Sequence, residues 1–142
     1  MKIKRATQDE ISSWLEKDPN MKNVIWLGEN TVTLFAKDDN EKNMGFLFAF
    51  YREIEAPLNG QIEYFVNVID VNESMRGQGV ASTLVQEIIK IAKTANAAQV
   101  RAYCDINNIA SHRLWFKNGF GISPVKSPSG QIPGSFVTYR IL

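Results

Sequence analysis

A chain of 142 residues, 44% hydrophobic and 22% charged, has the length and balance of one globular domain with a buried core. Its net charge of +1 gives no overall attraction to nucleic acid or to an anionic membrane. A single cysteine excludes an internal disulfide, and a single histidine argues against a His/Cys metal cluster, so no metal is expected. No apolar run approaches the ~20 residues of a membrane span. The opening MKIKRATQDE lacks the apolar segment of a secretory signal, so the expected address is cytoplasmic.

The chain begins with a short charged edge strand, Lys2 to Ala6. Thr7 to Glu10 has capping-box spacing, and a helix follows to about Lys17 with Ile11, Trp14 and Leu15 inward. Asp18-Pro19-Asn20 stops it. Met21 to Asn30 reads equally as a second short helix or as a loop, and Trp14, Met21 and Trp26 as core or as a substrate wall. Thr31 to Lys37 and Met44 to Ile54 form a hairpin around the Asp38–Glu41 turn. A loop at Glu55 to Gly60 leads to a long central strand, Gln61 to Val71.

From Val80 the apolar period changes. Val80, Ala81, Leu84, Val85, Ile88, Ile89, Ala92 and Ala95 line one face of a long helix. Between strand and helix lies Arg76-Gly77-Gln78-Gly79, a turn that aims unpaired N–H groups and the positive helix end at one spot. Such a spot binds phosphate. The two glycines tolerate positive φ and close approach, and Arg76 adds a forked cation. Taken alone, Gly-x-Gly reads as readily as a plain tight turn. The loop lacks the lysine of nucleoside-triphosphate loops and the third glycine of dinucleotide folds.

Gln99 to Cys104 is the next strand, and strand, crossover helix and strand suggest a parallel unit. Asp105 to Asn108 caps a helix at Ala110 to Asn118, which Gly119 ends. Phe120 to Val125, a Pro/Gly loop and Ser135 to Leu142 close the chain. His112 reads as a surface residue and Cys104 as core. The expected fold is one α/β (α+β) domain over 1–142. Its mixed, mostly antiparallel sheet of six to seven strands has helices on both faces.

Two segments together resemble the GCN5-related N-acetyltransferase (GNAT) family. Arg76-Gly77-Gln78-Gly79-Val80-Ala81 matches its Arg-x-x-Gly-x-Gly/Ala signature. Asn108-x-x-Ser111-x-x-Leu114-Trp115-x-x-x-Gly119-Phe120 is similar to its second motif. The resemblance covers roughly Met44 to Phe120. It implies transfer of an acetyl group from acetyl-CoA, as co-substrate, directly to an amine of a small molecule or protein, with no covalent enzyme intermediate. The other reading is a non-catalytic acyl-CoA-binding domain. The partners implied are acetyl-CoA and an amine, with no nucleic acid and no membrane; a homodimer is left open.

By the same resemblance the diphosphate lies on the N–H groups of Gly77, Gln78, Gly79, Val80 and Ala81, and Arg76 and Ser82 also bind the cofactor. The peptide-like pantetheine arm pairs with Val68, Ile69 and Val71, and Asn108, Ser111 and Trp115 complete the slot. The Val68 N–H is the expected oxyanion donor. Glu63, thirteen residues before Arg76, stands where histone-type members carry their catalytic base. Partial burial is expected to raise its pKa; the other reading is a strand-end carboxylate facing solvent. Glu63 lies roughly 13 Å along the strand from Asn67, so a bulge or a bridging water is required. Asp70 and Asp105 read as weaker candidates, turn or cap residues. Trp115 replaces the family's usual tyrosine acid and cannot protonate a thiolate. Tyr139, Tyr64 or a water would have to substitute, and Trp115 itself reads as a wall of the acyl or pantetheine slot.

Overall fold

The structure is a computed structural model describing residues 1–142. Thr7 caps the first helix, α1 (Gln8–Lys17), by the expected box: its Oγ1 accepts from the Glu10 N–H and its N–H donates to Glu10 Oε1, both at 3.2 Å. Strand β1 (Lys2–Arg5) precedes it. A 3-10 turn at Pro19–Asn23 follows, then a loop to Asn30, which decides the ambiguous segment. Ile25 from that loop is fully buried with Ile11 and Phe48, so α1 and the loop share a small core.

The remaining strands are β2 (Thr31–Lys37), β3 (Asn43–Glu53), β4 (Ile62–Val71), β5 (Gln99–Asp105), β6 (Gly121–Val125) and β7 (Gly134–Arg140). They form one seven-stranded sheet in the order β1-β2-β3-β4-β5-β7-β6. All pairings are antiparallel except β4 with β5, joined by the crossover helix α2 (Val80–Thr94). The mixed sheet, helices on both faces and the parallel unit are as the sequence led us to expect.

The apolar stripe of α2 buries Leu84, Val85 and Ile88 completely against Leu47, Ala49, Tyr64, Val66 and Val100. Helix α3 (Ile109–Lys117) adds Trp115 to this same large core. On the opposite face α1 lies over β2 and β3, its Trp14 ring 5.4 Å from Phe35 and 4.9 Å from Phe46.

Two irregularities in β4 create the site. The β3–β4 register steps from Phe48↔Val68 to Ala49↔Val66, so Asn67 is an extra, bulged residue. The bulge changes the phase of the strand. Tyr64 and Val66 before it face the large core, as do Ile69 and Val71 after it, while Val68 turns to the α1 side. The second irregularity is a fork: β4 and β5 pair only from Glu63↔Gln99 to Val66↔Ala102, and beyond that the strands part. Residues 67–71 and 103–105 thus each carry one strand edge unpaired by the other.

Candidate active site

At the end of β4 the chain makes a 3-10 turn (Glu73–Met75) and enters the glycine turn. Gly77 and Gly79 have φ of 79° and 80°, the left-handed region that side chains other than glycine rarely adopt. A Cβ at either glycine would meet no protein atom within 4 Å, so both face open space. Gly79 is the N-cap of α2 and provides no side-chain cap. In consequence the N–H groups from Gly77 to Ser82 have no hydrogen-bond partner in the chain. Elsewhere such helix starts are capped, as Thr7 and Asn108 show.

All of these residues except Gln78 border a cavity of about 370 Å³. Among the residues singled out from the sequence, Ile69, Val71, Arg76, Gly77 and Gly79 line it on the strand and turn side. Val80, Ala81, Ser82, Asn108 and Ser111 line it from α2 and α3. Arg76 is held in place by its Nε, which donates to Val71 O at 3.2 Å. Lys117 also lines the cavity and escaped the sequence reading, since nothing distinguishes it from any lysine in a last helical turn. Asn108 has the expected capping role, with Oδ1 accepting from the Ser111 N–H at 3.0 Å.

Three residues assigned to the cofactor fall outside this lining, as does Glu63. Gln78 is exposed and does not border the cavity. The Val68 side chain packs with Ile25 and Phe48, leaving only its backbone at the fork. Trp115 corrects an expectation more plainly. It is 2% exposed, its ring is 4.8 Å from Phe120, and its Nε1 donates to Ser111 Oγ at 3.1 Å. The indole is core, and Ser111 stands between it and the cavity. Neither tyrosine considered as its substitute lines the cavity: Tyr64 is buried in the large core, where desolvation raises its pKa, and Tyr139 packs against Phe120. His112 Nδ1 lies 2.9 Å from Asn108 O and 3.2 Å from Cys104 Sγ. Cys104 is buried, as expected.

Glu63 is 2% exposed, yet three donors reach it. Gln99 Nε2 donates to Oε1, and Arg52 Nε and Arg101 Nη2 donate to Oε2, each at 2.8 Å. Burial alone would raise its pKa. The hydrogen bonds from Gln99, Arg52 and Arg101, with the Arg101 charge, outweigh it and hold the carboxyl below the usual range. The expected rise is therefore reversed. The signal was divided among Arg52 on β3 and Gln99 and Arg101 on β5, and only the register unites them with Glu63 on β4.

The model of the acetyltransferase (GNAT) family matches residues 3–120. The chain belongs to that family. It is 36% identical over 105 residues to L-2,4-diaminobutyric acid acetyltransferase of Halalkalibacterium halodurans, an alignment covering 74% of this chain and 53% of that protein. The chain thus spans about half the length of this relative. Among solved structures, Arabidopsis thaliana NAA60 in complex with acetyl-CoA superposes with a TM-score of 0.70 at 12% identity, covering 99% of this chain and 98% of that one. Ribosomal-protein-alanine N-acetyltransferase from Brucella melitensis gives 0.71 at 18% identity, over 99% and 100% of the two chains. At these identities the superpositions establish the fold.

Proposed function

We propose that this chain is an N-acetyltransferase that moves an acetyl group from acetyl-CoA directly to a primary amine. The observation that carries this is the run of partnerless amides from Gly77 to Ser82, opening on a cavity that adjoins the β4–β5 fork. The residues present fit coenzyme A. Gly77 and Gly79 leave room for a diphosphate at the amides, Arg76 and Lys117 add cations, and the unpaired edges of the fork suit a peptide-like arm. The H. halodurans relative is named for a small diamino acid, which favours a small-molecule acceptor here.

Acetyl-CoA supplies an activated acyl carbon. The chain binds it, excludes water along the fork and offers the Val68 N–H, beside the bulge, to the acyl oxygen. The acceptor nitrogen bonds to the acyl carbon, the C–S bond breaks, coenzyme A departs with its sulfur, and the amine proton passes to solvent. A thiol with a pKa near the ~8.5 of cysteine leaves without a dedicated acid, which accommodates the buried Trp115. In this reading Glu63 is a positioning residue and not the base, because it is enclosed and three donors bind its oxygens.

Thiol release from acetyl-CoA, assayed over a panel of primary amines, tests this. Release that depends on the amine is expected. Tight coenzyme A binding with no release for any amine would instead favour the acyl-CoA-binding reading.

A further inference from the structure

The face of the sheet carrying Glu63 also carries a second cavity, about 550 Å³, between the 54–58 loop and the β5/β7 pair. Phe136 lines it together with Arg52 and Arg101, and both arginines rest on aromatic rings. Arg52 lies 5.3 Å from the Phe50 ring centre and 4.9 Å from that of Phe65; Arg101 lies 5.7 Å from Phe65 and 4.7 Å from Phe136. Stacking on these rings and the shared Glu63 carboxylate fix both guanidinium groups. Neither is sealed off, since the Arg52 side chain is 44% exposed and that of Arg101 28%.

The hydrogen bonding is lopsided. Glu63 has both oxygens engaged, whereas Arg52 donates only through Nε, and Arg101 only through Nη2. Arg101 Nε is buried with no partner. Of the other carboxylates lining the cavity, Glu53 accepts from the Gly60 N–H at 2.6 Å and Glu55 is exposed. Three carboxylates and two guanidiniums thus line the cavity, and it is the unused guanidinium N–H groups of Arg52 and Arg101, not an excess of positive charge, that are free to donate. Their complement is a carboxylate, the planar acceptor that matches guanidinium geometry.

We propose that Arg52 and Arg101 bind the carboxylate of the amine acceptor, so that the acceptor class is an amino acid carrying a second, distal amine. This rests on the transferase reading above. Arg101 is the sheet partner of Phe65, three residues before Val68. At ~3.3 Å per residue, shortened by the bulge, the reacting amine stands roughly 7–10 Å from the carboxylate. A side chain of about three to four methylenes spans that distance. Glu55 offers an acceptor to the α-ammonium of the same head group.

Calorimetry on the protein loaded with coenzyme A separates this from its alternatives, using L-ornithine and putrescine, the same diamine without the carboxylate. Ornithine is expected to bind at least roughly tenfold more tightly, as for a charge-assisted hydrogen-bonded pair. Arg52→Gln is expected to abolish most of that difference and to raise the KM for ornithine more than it lowers kcat. Coenzyme A affinity checks that the variant is folded. Arg52→Gln and Arg101→Gln each remove one of the three donors to Glu63, so both are read alongside Arg52→Lys, which retains charge and should recover part of the preference. Equal affinity for the two amines, or a preference indifferent to Arg52→Gln, overturns the carboxylate site while amine-dependent thiol release leaves the transferase standing. Ornithine binding without thiol release for any amine would instead overturn the transferase and the acceptor role with it.

Discussion

Glu63 shows how one side chain changes meaning with its neighbours. As a lone acid at the start of an apolar strand it reads as a base with a raised pKa. Beside Arg52, Gln99 and Arg101 it is a fixed anion. Because its folded pKa lies below the ordinary 4.5, the unfolded chain binds the proton more readily, so stability rises with pH across that interval. The contribution is full above about pH 5 and is lost as pH falls below 4.5 toward the folded value. Glu63→Gln should cost about 1–3 kcal/mol at pH 7, less than for a wholly buried pair because both arginines touch water. Denaturant melts at pH 7 and pH 4 check it: the gap between wild type and variant should narrow at the lower pH, and a gap that widens would contradict the assignment. The pH–rate profile carries a second expectation. With no enzyme base, kcat/KM should climb with the fraction of neutral amine and shift with the pKa of the amine used. A fixed limb that disappears in Glu63→Gln would restore the base role.

At the scale of elements, the strands and helices were legible because their signals are local. The α2 stripe, the capping box at Thr7 and the Thr31–Lys37 strand each declare themselves within a few residues. The glycine turn was legible for the same reason, as two glycines and an arginine suffice to mark it. A bulge was legible only as an alternative to a bridging water, and its place at Asn67 not at all, since a register step depends on the partner strand. The arginine floor was not legible at all, because Arg52, Glu63 and Arg101 are distant in sequence and each looks like an ordinary strand charge. The misplacement of Trp115 has a similar cause: the motif specifies a position on α3, while the rotation that buries it comes from packing on Phe120. The bulge has its own test. Asn67 Nδ2 donates to Val24 O at 2.8 Å, tying the 18–30 loop to the fork. Asn67→Ala should raise the KM for the amine several-fold, since a hydrogen bond of ~1 kcal/mol ties that loop to the bulge where the proposed transfer takes place, and coenzyme A affinity should change little. Equal losses for both ligands would mean that the bulge itself has collapsed.

Across the whole molecule, two of the cavities that border β4 lie towards its opposite ends. One gathers partnerless amides and cations where the strand meets α2; the other gathers guanidiniums where the strand begins. The parting of β4 from β5 occurs between them. On the proposed reading, a phosphate-bearing donor and a carboxylate-bearing acceptor would approach one point from opposite ends. No helix is long and apolar enough to cross a membrane. The account stands or falls on the first cavity, and amide-resolved NMR during titration with coenzyme A examines it directly. The largest shifts should fall on the N–H resonances of Gly77 through Ser82, and Gly79→Ala should weaken binding by at least roughly tenfold through its strained φ and added Cβ. Saturable binding that leaves those amides unmoved, or no binding at all, would contradict it.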